Sequence, residues 1–100
     1  MRFAKKSLGQ NFLKDKNIIK KIIGLIKVKN KNIIEIGPGN GALTNEILNN
    51  KPKSLILIEK DNILTNSLKL KYKNIKNIKI YNNDILDFDL EKIKFKNFII

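Results

Sequence analysis

The chain has 100 residues, 21 of them lysine or arginine against 9 aspartate or glutamate, and it contains neither cysteine nor histidine. One domain with one core is what this length can bury, and disulfide frameworks, thiolate or imidazole zinc sites and nucleophile–histidine pairs are excluded. The net charge of +12 fits an RNA partner and a plain solvated basic surface equally well, because the lysines are spread along the whole length.

At the N-terminus, Arg2, Lys5 and Lys6 precede Ser7-Leu8-Gly9-Gln10-Asn11 and not an apolar signal core, and no apolar run has membrane-spanning length. A cytoplasmic protein with no membrane partner is expected. Residues 1–14 read as an arm. From Asp15, a plausible N-cap, to Ile26 the residues Ile18, Ile19, Ile22, Ile23, Leu25 and Ile26 recur with helical spacing, and the helical region is taken to extend through residues 15–30. Residues 31–100 then alternate strands with helices. Strands are expected at Ile33–Ile36, Leu55–Ile58 and Ile78–Tyr81, with a fourth beginning at Asn97–Ile100; helices are expected at Ala42–Leu48 and Asn62–Leu70. That alternation implies a parallel α/β sheet.

Ligands of such sheets sit beyond the carboxyl ends of the strands, and three of those ends carry chemistry here. The first is the turn with Gly37, Gly39 and Gly41, where the backbone can take positive φ and a ligand can approach closely. The second is Glu59, about 20 residues on, where a carboxylate suits both hydroxyls of a ribose. The third is Asp84, placed to accept from the exocyclic amine of adenine. Each also has a bland reading, as a tight connection or a solvated cap. Their joint spacing points to an adenosine site.

Two adenosine cofactors compete. Gly37, Gly39 and Ala42 formally satisfy the dinucleotide fingerprint, so an NAD-dependent oxidoreductase is a rival. Against it, Glu35 lies two residues before the turn, where a carboxylate repels pyrophosphate and attracts ammonium, and Pro38 removes a backbone donor. S-adenosyl-L-methionine has no phosphate and suits an acid-flanked pocket better.

Lys5-Lys6-Ser7-Leu8-Gly9-Gln10-Asn11-Phe12-Leu13, followed by Glu35-Ile36-Gly37-Pro38-Gly39-Asn40-Gly41-Ala42-Leu43-Thr44, resembles the ribosomal RNA adenine N6,N6-dimethyltransferase family. Ile58-Glu59-Lys60-Asp61 and Asn83-Asp84-Ile85-Leu86 resemble its next two motifs. The resemblance implies a Rossmann-like, class I methyltransferase fold and dimethylation of two adjacent adenines near the 3′ end of small-subunit rRNA, by a protein that is a monomer at full length. It also implies site residues. Asn11 and Leu13 would line the cofactor from the arm, Gly37 would contact it through backbone, Glu59 would hold the ribose hydroxyls, and Asp84 with Ile85 would frame the adenine. Glu35 would sit near the methionine end, and Gly39 would be a further cofactor-binding residue.

Two departures stand out. Asn83 occupies a position where the family usually has glycine, and asparagine tolerates positive φ. The family's Asn-(Leu/Ile)-Pro-Tyr loop, which holds the target amine, would begin where the chain reaches Ile100. The chain therefore reads as the N-terminal portion of a longer enzyme, truncated after the fourth strand, with no catalytic residue of its own. A non-catalytic RNA or ribosome-assembly binder with the same fold is the alternative.

Overall fold

The computed structural model describes residues 16–89, residue 91 and the backbone of residues 98–99. The arm, with Asn11 and Leu13, and the N-cap position Asp15 lie outside the described residues.

Helix α1 spans Lys16–Ile26 and buries Ile19 and Ile23, spaced one turn apart, while Leu25 is exposed and Ile18 partly so. The six apolar residues of this segment exceed one helical face; Ile19 and Ile23 are buried in the core, with Ile26 packed against it. The helix stops at Ile26, short of the expected 30. Lys27 and Asn30 adopt positive φ (58° and 61°), and the intervening Val28 is drawn into the core at 1% exposure, which turns the chain toward the sheet.

Strand β1 is Asn32–Ile36, α2 is Ala42–Asn49, β2 is Ser54–Glu59, α3 is Asn62–Lys71 and β3 is Ile78–Asn82; a 3-10 turn covers Ile85–Asp87, and β4 is Phe98–Ile99. The first three expected strands and the helices expected at 42–48 and 62–70 are present with ends shifted by at most one residue, and residues 98–99 of the expected fourth strand are paired. Each strand pairs in parallel with its neighbours in the order β3-β2-β1-β4. Consecutive strands step one way from β1 and β4 returns to its other side. The order therefore reverses at β1, the place where open α/β sheets hold ligands.

The alternation of strand side chains divides the core. Ile33, Leu55 and Leu57 face the helices and pack with Ile19, Ile23, Leu43, Ile47, Leu68 and Tyr72. Ile34, Ile56 and Ile58 face the opposite side and pack with Tyr81, Ile85 and Phe88, the two rings meeting edge to face at 5.2 Å. Burial on both faces explains why β1 and β2 read as unbroken apolar runs. The two exceptions in those runs are Glu35 and Glu59.

Candidate functional site

The segment from β1 to α2 is a compact hydrogen-bonded turn. Gly37, Gly39 and Gly41 take φ values of 66°, 61° and 91°, a region that residues with a Cβ rarely enter. In front of Gly37 and Gly39 a Cβ would meet none of the described residues within 4 Å. Gly41 differs. A Cβ on it would lie 2.5 Å from the Tyr72 hydroxyl, which donates to Asn45 Oδ1 at 2.6 Å and reaches the Gly41 carbonyl at 3.4 Å. Burial and the nearby Glu35 push the Tyr72 phenol up to about 12, so it remains a donor at neutral pH.

Most backbone N–H groups of this turn are already used. Gly37 N–H donates to the Ile58 carbonyl (2.9 Å), Gly39 N–H to Glu59 Oε1 (3.1 Å), Gly41 N–H to the Pro38 carbonyl (3.0 Å) and Ala42 N–H to Asn40 Oδ1 (3.2 Å). Pro38 has none to give. A pyrophosphate cradle requires several free N–H groups aimed at the ligand, and four of the N–H groups at this turn are engaged by the protein itself.

Two carboxyl groups flank the turn instead. Glu59, 3% exposed at the end of β2, accepts from Gly39 N–H on Oε1 and from Asp61 N–H on Oε2 (3.0 Å). An ionised carboxylate has about four acceptor positions, so each oxygen keeps one lone pair, a pattern that matches the two hydroxyls of a vicinal diol. Glu35 is 2% exposed and is not the solvent-facing strand residue that its charge allows; the Thr44 hydroxyl donates to its Oε1 at 2.6 Å from the first turn of α2. Burial raises the Glu35 carboxyl to about 7, against the pull of the Thr44 hydrogen bond and with a further push from the charge of Glu59.

Asp84 stands two residues beyond β3 on the same carboxyl edge, where its Oδ1 accepts from Leu86 N–H at 2.9 Å and caps the 3-10 turn. Ile85 packs against Ile34, Ile56 and Ile58, on the opposite face of the sheet from Glu35. The switch point thus brings Glu35, Gly37, Gly39 and Glu59 together, with Asp84 and Ile85 at its β3 side. Asn83 has no positive φ, so the substitution for glycine imposes no backbone strain. An open hollow of about 340 Å³ lies on the outer side of the turn, lined by Asn40, Ala42, Asn45 and Lys71, and shares none of the acidic residues. Among the described residues no group of three or more acidic side chains could hold a metal, and no helix is long and apolar enough to cross a membrane.

Thr44, Tyr72, Thr65 and Asn82 had no assigned role from sequence. Thr44 was within reach of inference, since it falls on the helix that follows the strand carrying Glu35. The others make contacts between elements that no local pattern encodes.

The sequence profile of a family described as "Ribosomal RNA adenine dimethylase" matches residues 1–99. The chain belongs to that family. A small-subunit rRNA methyltransferase A of Pelagibacter ubique is 52% identical over 83 residues, covering 83% of this chain and 31% of the relative. Among solved structures, the 23S rRNA methyltransferase ErmE superposes with a TM-score of 0.69 at 31% identity, over 79% of this chain and 32% of that one. A dimethyladenosine transferase of Plasmodium falciparum gives 0.71 at 28% identity, over 84% and 31%. The fold is accordingly that of the Rossmann-like class I methyltransferases. The chain spans about a third of the length of the curated family members it matches.

Proposed function

We propose that the chain forms the S-adenosylmethionine-binding part of an enzyme that dimethylates adenine N6 on small-subunit rRNA, in the cytoplasm. The observation that carries this reading is the chemistry of the glycine turn. Its N–H groups at residues 37, 39, 41 and 42 are engaged by the protein itself, and two buried carboxyl groups flank it, so it suits an adenosine ligand with cationic groups and no phosphate. The same feature tells against the NAD alternative. Membership of the rRNA adenine dimethylase family supplies the reaction and the RNA.

In this reading Glu59 accepts the two ribose hydroxyls on the lone pairs left by Gly39 and Asp61 N–H. Asp84 accepts from the adenine amine through Oδ2, while Ile85 forms the apolar wall beside the base. Gly37 and Gly39 admit the ligand against backbone, and Glu35 provides negative potential toward its methionine end. Asn11 and Leu13 complete the site from the arm. The cofactor supplies an electrophilic methyl on sulfur. The chain's task is to hold it in one orientation for an adenine presented out of its stack, which is where the rate of such a transfer originates. No residue of this chain is assigned to the target amine.

Titration calorimetry with S-adenosylhomocysteine and with NAD tests the reading. S-adenosylhomocysteine is expected to bind more tightly, and Glu59→Ala to weaken it by roughly 1–3 kcal/mol, the range for charge-assisted hydrogen bonds. Tighter NAD binding, or an indifferent mutant, overturns the assignment.

A further inference from the structure

Glu59 is anchored through its main chain as firmly as through its carboxylate. Its carbonyl oxygen receives Asn83 N–H at 3.0 Å, the Asn82 side-chain amide at 3.0 Å and the Thr65 hydroxyl at 3.1 Å. Asn82 stands directly opposite Glu59 in the β2–β3 register, at the last paired position. From there its Nδ2 also reaches the Lys60 carbonyl at 3.2 Å and Thr65 Oγ1 at 3.2 Å. Thr65, 1% exposed in α3, shares its single hydroxyl hydrogen between the Glu59 carbonyl and the nearer Asp61 carbonyl at 2.8 Å.

These contacts have a consequence for the carboxylate. Glu59 is the last paired residue of β2 and its carbonyl keeps the ladder bond from Asn83 N–H, whereas the Lys60 carbonyl lies past the pairing and relies on the Asn82 amide; polar backbone without partners leaves a turn free to rotate. The next amide along is Asp61 N–H, one of the two donors that fix the Glu59 carboxylate. Rotation of the peptide between Lys60 and Asp61 would swing that donor away and release Oε2. An amide with two hydrogens facing two carbonyls and a hydroxyl prevents the rotation.

We propose that Asn82 and Thr65 are positioning residues for ligand binding, a clamp across β3 and α3 that holds the Glu59–Asp61 turn so that the carboxylate meets both ribose hydroxyls. The proposal rests on the reading of Glu59 as the ribose acceptor. Neither side chain touches the ligand in this scheme. Their effect is confined to the part of the binding energy that depends on the diol.

The test titrates S-adenosylhomocysteine and its 2′-deoxy analogue into the full chain carrying Asn82→Ala, Thr65→Val or Thr65→Ser. For Asn82→Ala and Thr65→Val, S-adenosylhomocysteine affinity is expected to fall about 5- to 30-fold, the scale of one or two hydrogen bonds. The 2′-deoxy analogue has already lost one of the two hydroxyl bonds and is expected to change by less, under about 3-fold. Thr65→Ser keeps the hydroxyl and is expected to retain the wild-type preference. Asn82 is exposed, so Asn82→Ala carries the test if the buried Thr65→Val fails to fold. Equal losses for the two ligands, or no loss for either, overturn the clamp and reduce these residues to ordinary structural contacts. A wild-type chain that does not prefer S-adenosylhomocysteine over the 2′-deoxy analogue overturns the ribose reading itself, a separate failure visible before any mutant is made.

Discussion

Glu35 shows how far a single side chain can be displaced from its ordinary chemistry by its neighbours. Unfolded, it releases its proton near 4.5; folded, it holds the proton to about 7, because burial disfavours the charge more than Thr44 stabilises it. Between those values the folded chain binds a proton that the unfolded chain has lost. Stability contributed at this site is therefore intact below pH 4.5, falls as pH rises toward 7 and is level above that. The full loss is about 3 kcal/mol by linkage. Glu35→Gln keeps an acceptor for Thr44 and removes the titration, so denaturant unfolding between pH 5 and 8 should show a flatter profile and a mutant more stable at pH 8 by about 1–3 kcal/mol. A mutant with the wild-type slope would place the titrating group elsewhere. Sequence marked Glu35 as an acid beside the turn, but its charge state depends on the depth of burial, which local pattern does not carry.

Among the elements, the junction of α2 with α3 sets the demand for glycine at 41. The C-terminal end of α3 brings the Tyr72 hydroxyl under the start of α2, into the space where a Cβ would stand, and Lys71 beside it donates to the Asn40 carbonyl at 3.2 Å. Gly41→Ala thus meets two costs, left-handed backbone worth about 1–3 kcal/mol and the collision with Tyr72. Tyr72→Phe alone forfeits the Asn45 hydrogen bond, about 1 kcal/mol. In the double mutant the collision is gone, so the alanine should cost about 1 kcal/mol less than in the wild type, as read from a cycle of unfolding free energies. Strict additivity would show that the hydroxyl is no obstacle. The glycines at 37 and 39 answer a different need, positive φ alone, and the three look alike in the sequence.

At the scale of the whole molecule, the charge of +12 is carried mostly on surface lysines, Lys69, Lys71, Lys73, Lys76 and Lys79 among them, all exposed around the end of α3 and along β3. Such a surface neutralises phosphates with little regard for base identity. The chain should bind small-subunit rRNA hairpins with affinity that drops about 10- to 100-fold between roughly 50 and 200 mM salt, as for a few phosphate contacts. Binding to unrelated RNA of equal length should be similar. Salt-insensitive binding, or strong selection of the 3′-terminal hairpin by this chain alone, would show that the lysines are not acting as a general phosphate surface.

Periodicity and punctuation were enough to locate the elements, because apolar alternation, helical spacing and the glycines and asparagines at turns are local properties of the chain. The parallel sheet followed from their order, and the family from motifs at 35–44, 58–61 and 83–86 together with the arm. Periodicity ended α1 at Ile26, as the structure does, but overestimated the width of its apolar face, since it cannot tell which of six apolar residues will find a partner. Local pattern put forward Gly39 and Glu59 as candidate site residues and left open what they do to each other. Only the tertiary structure joined them by a hydrogen bond, buried Glu35 against Thr44, brought Tyr72 beneath Gly41, and set Asn82 opposite Glu59. Those relations depend on strand register and helix packing between residues 9 to 31 positions apart, distances over which a sequence specifies contacts only through the fold as a whole.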